Sequence, residues 1–273
     1  MPIVTLSSSS QKKRRLIAER IAERLGHSCM SREVILEASE QFNVPEIKLA
    51  KAIHDSPTIF ERLSNGKERY IAFFKAALLN NLKNGGIVYH GIVGHFFVQR
   101  VPHVLKVRII DSMENRIQEE MEREDVPENV ARKRVMQEDR ERYNWCSALY
   151  KMDTRDPELY NMVINLERIS VDDCVDIICH ALDKDSFKKT ADAEKQLKDM
   201  ALTATVKAAI VQKYSDATVS SYDGNVLIHM DPPVAQIPKK KRDIRALTCG
   251  IEGIKKLELD LKAKTIPRTP MHK

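Results

Sequence analysis

The sequence predicts an α/β fold: a parallel sheet flanked by helices, with a charged helical insert, and then a small α+β unit. It rests on three features. Short apolar runs at 3–6, 87–90, 104–110 and 161–166 are separated by helical stretches, the alternation of a parallel sheet rather than of hairpins. Between the third and fourth runs lies a long, strongly charged helical segment, "ENVARKRVMQEDRERYNW". Beyond residue 195 the pattern changes to helix, hairpin, helix and strand, with Asp223-Gly224 as the hairpin turn.

The elements follow in order. The first strand, 3–6, leads into a polar turn of four serines, where Ser10 caps a helix with Ile17, Ile21 and Leu25 on one face and Gly26 as its stop. Residues 32–82 read as helical, broken near Asn43-Val44-Pro45 and near Ser56-Pro57. Gly85-Gly86 precedes the second strand, and Pro102 the third. Asp111 with Glu114 caps a helix carrying Met113, Ile117 and Met121, and Pro127 opens the long charged one. Asp156-Pro157 marks a turn, 161–166 a strand and 171–182 an amphipathic helix. Residues 183–195 have no aliphatic face and read as a linker or the start of a connecting helix. The αββαβ unit then has a helix at 202–214, strands at 218–222 and 226–230, a helix at 239–250 and a strand at 255–261.

The 273 residues are 42% hydrophobic and 31% charged, a globular balance. No apolar run reaches the roughly 20 residues that cross a bilayer, and no hydrophobic stretch follows the basic cluster at 12–15 as in a secretory signal. The five cysteines are scattered and odd in number, the pattern of reduced thiols in a cytoplasm. The net charge of +6 is local: the runs at 12–15 and 239–242 hold eight cations, and the rest of the chain is slightly negative. With few aromatics interleaved among the cations, a nucleic-acid partner is not expected.

The first 180 residues, through "IAERIAERLGHSCMSREVI", "GIVYHGIVGHFF", "PHVLKVRIIDSMENRIQEEMERED", "EDRERYNW" and "DTRDPELYNMVINLERISVDDCVDII", resemble the cytidylate-kinase-like family, a branch of the P-loop nucleoside monophosphate kinases. That implies a P-loop-kinase-like parallel sheet with a helical lid, ATP and Mg²⁺ as cofactors, and phosphoryl transfer to a nucleotide such as CMP. The C-terminal unit, with its Asp-Gly hairpin and Gly250-Ile251-Glu252-Gly253-Ile254, resembles a BON domain, which implies a protein, ligand or membrane partner. The division is 1–183 kinase-like, 184–195 linker, 196–262 BON-like and 263–273 polar tail.

The family's turn between first strand and first helix has glycines; here Ser8, Ser9, Ser10, Gln11, Lys12, Lys13 and Arg14 stand there. A phosphate cradle of backbone N–H groups needs the positive φ angles that glycine adopts freely. The basic turn is therefore either a solvated loop or an anion site that grips phosphate through Ser10, Lys13, Arg14 and Arg15. By the resemblance, Arg32 meets the acceptor, Arg140 and Arg142 in the lid meet the transferred phosphoryl, and Asp153 and Asp156 touch a base or Mg²⁺. From the residues alone, Arg32 is equally a surface charge, Arg140 and Arg142 equally exposed helix pairs, and Asp156 equally a turn former. Arg116 and Arg123 read as surface pairs. His90 and His95 carry no ligand spacing that assigns a metal, and Gly91 and Gly94 read as packing glycines. The rival to a kinase is an inactive, nucleotide-sensing or protein-binding pseudokinase.

Overall fold

The computed structural model describes residues 1–54, 66–91, 93–150 and 152–262. The strands of its larger sheet are β1 (Ile3–Ser8), β2 (Ser28–Met30), β3 (Ile87–His90), β4 (Val104–Ile110) and β5 (Met162–Asn165). They lie in the order β2-β3-β1-β4-β5, all parallel, with Ile3 of the central strand between Ile87 and Val104. The chain between and after them forms α1 (Gln11–Leu25), α2 (Glu33–Phe42), α3 (Glu46–His54), α4 (Gly66–Leu82), the short α5 (Gly94–Phe97), α6 (Met113–Glu124), α7 (Glu128–Tyr150) and α8 (Val171–Leu182).

Local chemistry explains most of these boundaries. Ser10 caps α1 by accepting from Lys13 N at 3.2 Å, and Gly26, at φ +62°, ends it in the left-handed conformation. Asn43 closes α2 in the same left-handed way just before Pro45. The predicted break at Ser56-Pro57 and the tail 263–273 lie outside the described residues. β2 was not predicted: it has three residues, none fully buried, too few for an alternating pattern, and pairing with 87–89 makes it a strand. Ser112, not Asp111, caps α6, accepting from Asn115 N at 3.1 Å; Asp111 is left for another partner described below.

The sheet separates two apolar layers. On one side Val4, Leu6, Leu105, Val107 and Ile109 meet Ile17 and Ile21 of α1 and Cys174 and Ile178 of α8. On the other, Ile3 and Val104 meet Val34, Leu49, Phe73, Phe74, Leu78 and Leu82. Each such side chain contributes about 1.5–3 kcal/mol on full burial. α6 and α7 form a hairpin with its own small core of Ile117, Ala131 and Val135. That hairpin is the charged insert seen in the sequence.

The second sheet holds β6 (Thr218–Tyr222), β7 (Asn225–Met230) and β8 (Lys256–Leu261). Asp223 and Gly224 turn β6 into β7 with φ of +49° and +77°, the pair of positive angles a two-residue hairpin requires. β8 joins β7 in parallel after α10 (Ile237–Thr248), the last helix, and α9 (Ala191–Ile210) precedes β6.

α9 starts at Ala191, eleven residues before the predicted helix, capped by Thr190, which accepts from Ala193 N. The stretch read as a linker or the start of a connecting helix is helical from 191, and the turns ahead of 202 bury Ala193, Leu197 and Ala201, a face with one leucine and otherwise small residues. Leu197, Ala201, Ala204 and Ala208 belong to the larger core beside α4, and Val206 and Ile210 to the smaller one. Alanine lets two helices approach closely, so a stretch without an aliphatic stripe still buries a face.

Ala201→Asp should therefore destabilise the protein by roughly 3–5 kcal/mol, the cost of an uncompensated buried charge. Asp192→Ala, in the exposed first turn, should cost under about 1 kcal/mol. Denaturant titration of the two variants checks this.

Candidate functional site

In open α/β sheets ligands meet the carboxyl ends of the strands. Here that end is the β1–α1 turn, and several of its backbone donors are already engaged. Ser9 N donates to Ile109 O at 3.4 Å, Ser10 N to Ser8 Oγ at 3.0 Å, and Arg14 N to Ser10 O at 3.3 Å. The non-glycine residues with positive φ are Asn43, Asp125 and Asp223, so none lies in the turn. A backbone nest is not formed.

The lid hairpin closes the turn instead. Ser10 Oγ lies 2.6 and 2.9 Å from the two carboxylate oxygens of Glu119 on α6. The space left among Ser9, Ser10, Arg116 and Glu119 is about 20 Å³, room for about one water. Arg142 on α7 donates from Nη1 to Ser8 O at 3.0 Å. Arg116 is buried and holds Asp139 through two bonds of 2.7 and 2.8 Å, tying α6 to α7. Sequence alone gave Arg116 a surface role; the hairpin's own packing buries it.

The four cations of the turn have different fates. Lys13 Nζ pairs with Asp111, whose carboxylate also accepts from Ser112 N and Asn115 Nδ2; these bonds hold its pKa low against the opposing effect of burial. Arg15 is exposed and donates to Glu19 at 2.7 Å one turn on. Lys12 is exposed. Arg14 is half-buried, and burial, then the neighbouring Arg142 charge, lower its pKa to about 10. Burial likewise lowers that of Arg142, with Arg116 and Arg108 adding to it and Asp139 opposing. Arg142 thus lies within reach of the charges of Arg116 and Arg108 and acts on Arg14, with Glu138 reaching both Arg14 and Arg142. Each of these arginines keeps a buried nitrogen without a partner: Nε of Arg14, Arg116 and Arg142, and Nη1 of Arg108. Four guanidinium groups with unspent N–H bonds make an anion-seeking cluster.

Beside it are two neutral histidines. Burial, then the Arg14 charge, push the His90 pKa down to about 4. Burial, then Arg108 and Lys106, push that of His95 down to about 3. His95 is 1% exposed, with Nε2 3.2 Å from Tyr160 Oη. The Tyr160 hydroxyl donates to Thr154 O at 3.0 Å, so His95 Nε2 carries the proton and donates to it. Gly91 and Gly94 admit Tyr89: a Cβ on either would lie 2.2 or 2.3 Å from its side chain.

Of the predicted residues, the fold brings together Ser10, Lys13, Arg14 and Arg142. Arg32 is exposed and donates from Nε to Glu46 at 2.8 Å. Arg140 is exposed on α7. Asp153 is bound by Arg155 at 2.7 Å, which chiefly lowers its pKa, with a smaller effect from Arg108. Asp156 caps the turn Pro157–Leu159, accepting from Glu158 N at 2.9 Å. Arg108 and Glu119 were not foreseen. Charges on a mostly apolar strand, Lys106 and Arg108 in "VLKVRII", were the available signal for Arg108; nothing in the sequence singles out Glu119.

Residues 3–168 match the model of the cytidylate kinase-like family. Among solved structures, an uncharacterized protein from Eubacterium ventriosum is 17% identical, aligned over 67% of this chain and 99% of its own, with a TM-score of 0.50. A shikimate kinase from Bacteroides thetaiotaomicron is 8% identical, over 67% of this chain and 99% of its own, with a TM-score of 0.41. One from Acinetobacter baumannii, solved in complex with shikimate, is 16% identical over 67% and 93%, with a TM-score of 0.39. At the identity of the first of these the likeness is one of fold. No curated protein matches the chain.

The depressed histidines set an acid limit. As pH falls below the ordinary value of 6.5, the unfolded chain takes up the proton and folded His95, near 3, does not. Stability is full above that pH and falls towards acid by up to about 1.4 kcal/mol per pH unit for this group. His95→Gln, which keeps an N–H for Tyr160, should flatten the slope of unfolding free energy between pH 6.5 and 4.5. An unchanged slope would show that His95 is not held neutral by the fold.

Proposed function

Because the chain belongs to the cytidylate kinase-like family, we propose that it binds the phosphates of a nucleotide at the β1–α1 turn, using arginine side chains in place of a backbone cradle. The support is the cluster of Arg14, Arg108, Arg116 and Arg142, with buried N–H groups that no protein acceptor takes. Phosphate oxygens accept such donors in pairs, and the negative charge relieves the repulsion among the guanidinium groups. Lys13 and Arg15 stand at the rim, Ser10 is released when Glu119 leaves, and Arg32 with Asp153 and Asp156 is assigned to the rest of the ligand.

The protein acts, in this proposal, by binding rather than by rapid turnover. Phosphoryl transfer depends on positioning, and flexible arginines position less rigidly than backbone amides. Among the described residues the implied Mg²⁺ has no fitting donor set. Asp111, at the carboxyl end of β4, is neutralised by Lys13 and further occupied by Asn115 and Ser112. Among the described residues no three His, Cys, Asp or Glu side chains gather as a metal site. The output is assigned to a BON-like module at 196–262, whose αββαβ order supports that likeness, acting on a protein partner. A second reading, transfer from ATP to a nucleoside monophosphate such as CMP with Arg140 and Arg142 as lid arginines, is favoured by the contact of Arg142 with Ser8 O.

Calorimetric titration with ATP, with and without Mg²⁺ and against inorganic phosphate, tests the binding. ATP should bind more tightly than phosphate, and Arg142→Ala should weaken it about tenfold or more. No ATP binding at millimolar concentration would overturn the proposal. Glu119→Gln should tighten ATP, because the carboxylate that fills the turn loses its charge. Consumption of ATP on adding CMP, lost in Arg140→Ala, would instead establish transfer.

A further inference from the structure

Two grooves flank α9 where α4 and β6 approach it, away from the arginine cluster. One, of about 520 Å³, is walled by Ile71, Ala72, Phe97 and Ala204; the other, of about 500 Å³, by Met200 and Tyr222. Lys75, Thr203 and Val219 line both, so the grooves meet at Lys75. Both are in the size range of small-molecule sites. The first is walled about equally by apolar and polar residues, and the second is mostly polar, with Asp192, Lys195 and Asp199 among its lining.

Lys75 is the unusual member. It projects from α4, half-buried, with its ammonium 5.6 Å from the centre of the Phe97 ring. Among the described residues it has no carboxylate partner. Its neighbours are provided for: Lys207 Nζ donates to Ser215 O at 2.8 Å and to Ala217 O, and Lys195 pairs with Asp223. Glu68, which lines the first groove too, acts on Lys207, whereas burial is the cause of the Lys75 shift. Burial alone lowers the Lys75 pKa, with no charge offsetting it. A desolvated cation without a counter-ion is costly, and a bound anion removes the cost.

We propose that the groove between α4, α9 and β6 binds a small aliphatic carboxylate, its chain along Ile71, Phe97 and Val219 and its carboxylate on Lys75 Nζ. Lys207 and Lys195 also line the grooves but are engaged. That leaves the Lys75 ammonium, beside Ile71, Ala72, Phe97 and Val219, as the cation for one negative group on an apolar body. Glu68, Asp192 and Asp199 disfavour a polyanion. A nucleotide, with several charges and a polar sugar, has too few partners here. The site is independent of the phosphate-binding proposal above: none of Arg14, Arg108, Arg116 and Arg142 lines either groove.

The full chain, titrated calorimetrically with decanoate and with the uncharged decanol below micellar concentrations, tests this. Decanoate should saturate one site at least about tenfold more tightly than decanol, the margin of a charge-assisted contact. Lys75→Met should abolish that preference while leaving decanol binding intact, and saturating ATP should leave decanoate binding unchanged. Equal affinity for the two probes, no binding of either, decanoate binding that survives in Lys75→Met, or displacement by ATP would each overturn the assignment. Should Lys75→Met fail to fold, Lys75→Gln and the wild-type preference decide it.

Discussion

Four cations stand on the first turn of α1, at the positive end of its dipole, where positive charge is disfavoured by some tenths of a kcal/mol per group or more. Much of the nearby architecture answers that load. Asp111 comes from the end of β4 to Lys13, Glu19 from the next turn to Arg15, and Glu119 from the lid to the capping Ser10. Arg14 forms no ion pair among the described residues and lies within reach of the Arg142 charge, with Glu138 acting on it more weakly. The same contacts hold the lid down, because Glu119 and Arg142 belong to its two helices and Arg116 ties those helices together. Replacing glycines with cations thus changes how the turn would hold an anion and also couples the turn to the lid.

That exchange has a chemical cost. Backbone amides in a glycine nest are pre-oriented, whereas arginine side chains lose rotamer freedom when they grip a ligand. The arginines also govern their surroundings. Burial, and after it the charges of Arg14 on His90 and of Arg108 on His95, lower the pKa values of both histidines, so His95, Tyr160 and the Thr154 carbonyl form a chain of neutral donors and acceptors. Tyr89 fills the space next to Arg14, which is why Gly91 and Gly94 bear no side chain.

The helical layer is joined to the small sheet by α9. Its leucine and alanines pack on the larger core while Val206 and Ile210 pack on the smaller, so one helix serves both. The grooves around Lys75 arise where that shared helix leaves α4 and β6 imperfectly filled. The sequence showed this helix from 202 and allowed its start in 183–195. Its first turns carry Ala193, Leu197 and Ala201 rather than a solid aliphatic stripe, and small residues count as a buried face only when a neighbouring helix is close enough to cover them.

The sequence by itself determined β1 and β3 to β5, the caps at Ser10 and Gly26, the Asp223-Gly224 hairpin and the absence of glycine from the β1–α1 turn. Those features depend on hydrogen bonds within a few residues and on hydrophobic periods of two or 3.6. It left β2 unseen, because three edge residues carry no period. It also left open which carboxylate meets which cation. Ser10 and Glu119 are 109 residues apart and Ser8 and Arg142 are 134 apart. Only the folded chain decides such pairs, because charge attraction at contact distance depends on where the strands and the hairpin deliver the side chains, and no local rule encodes that.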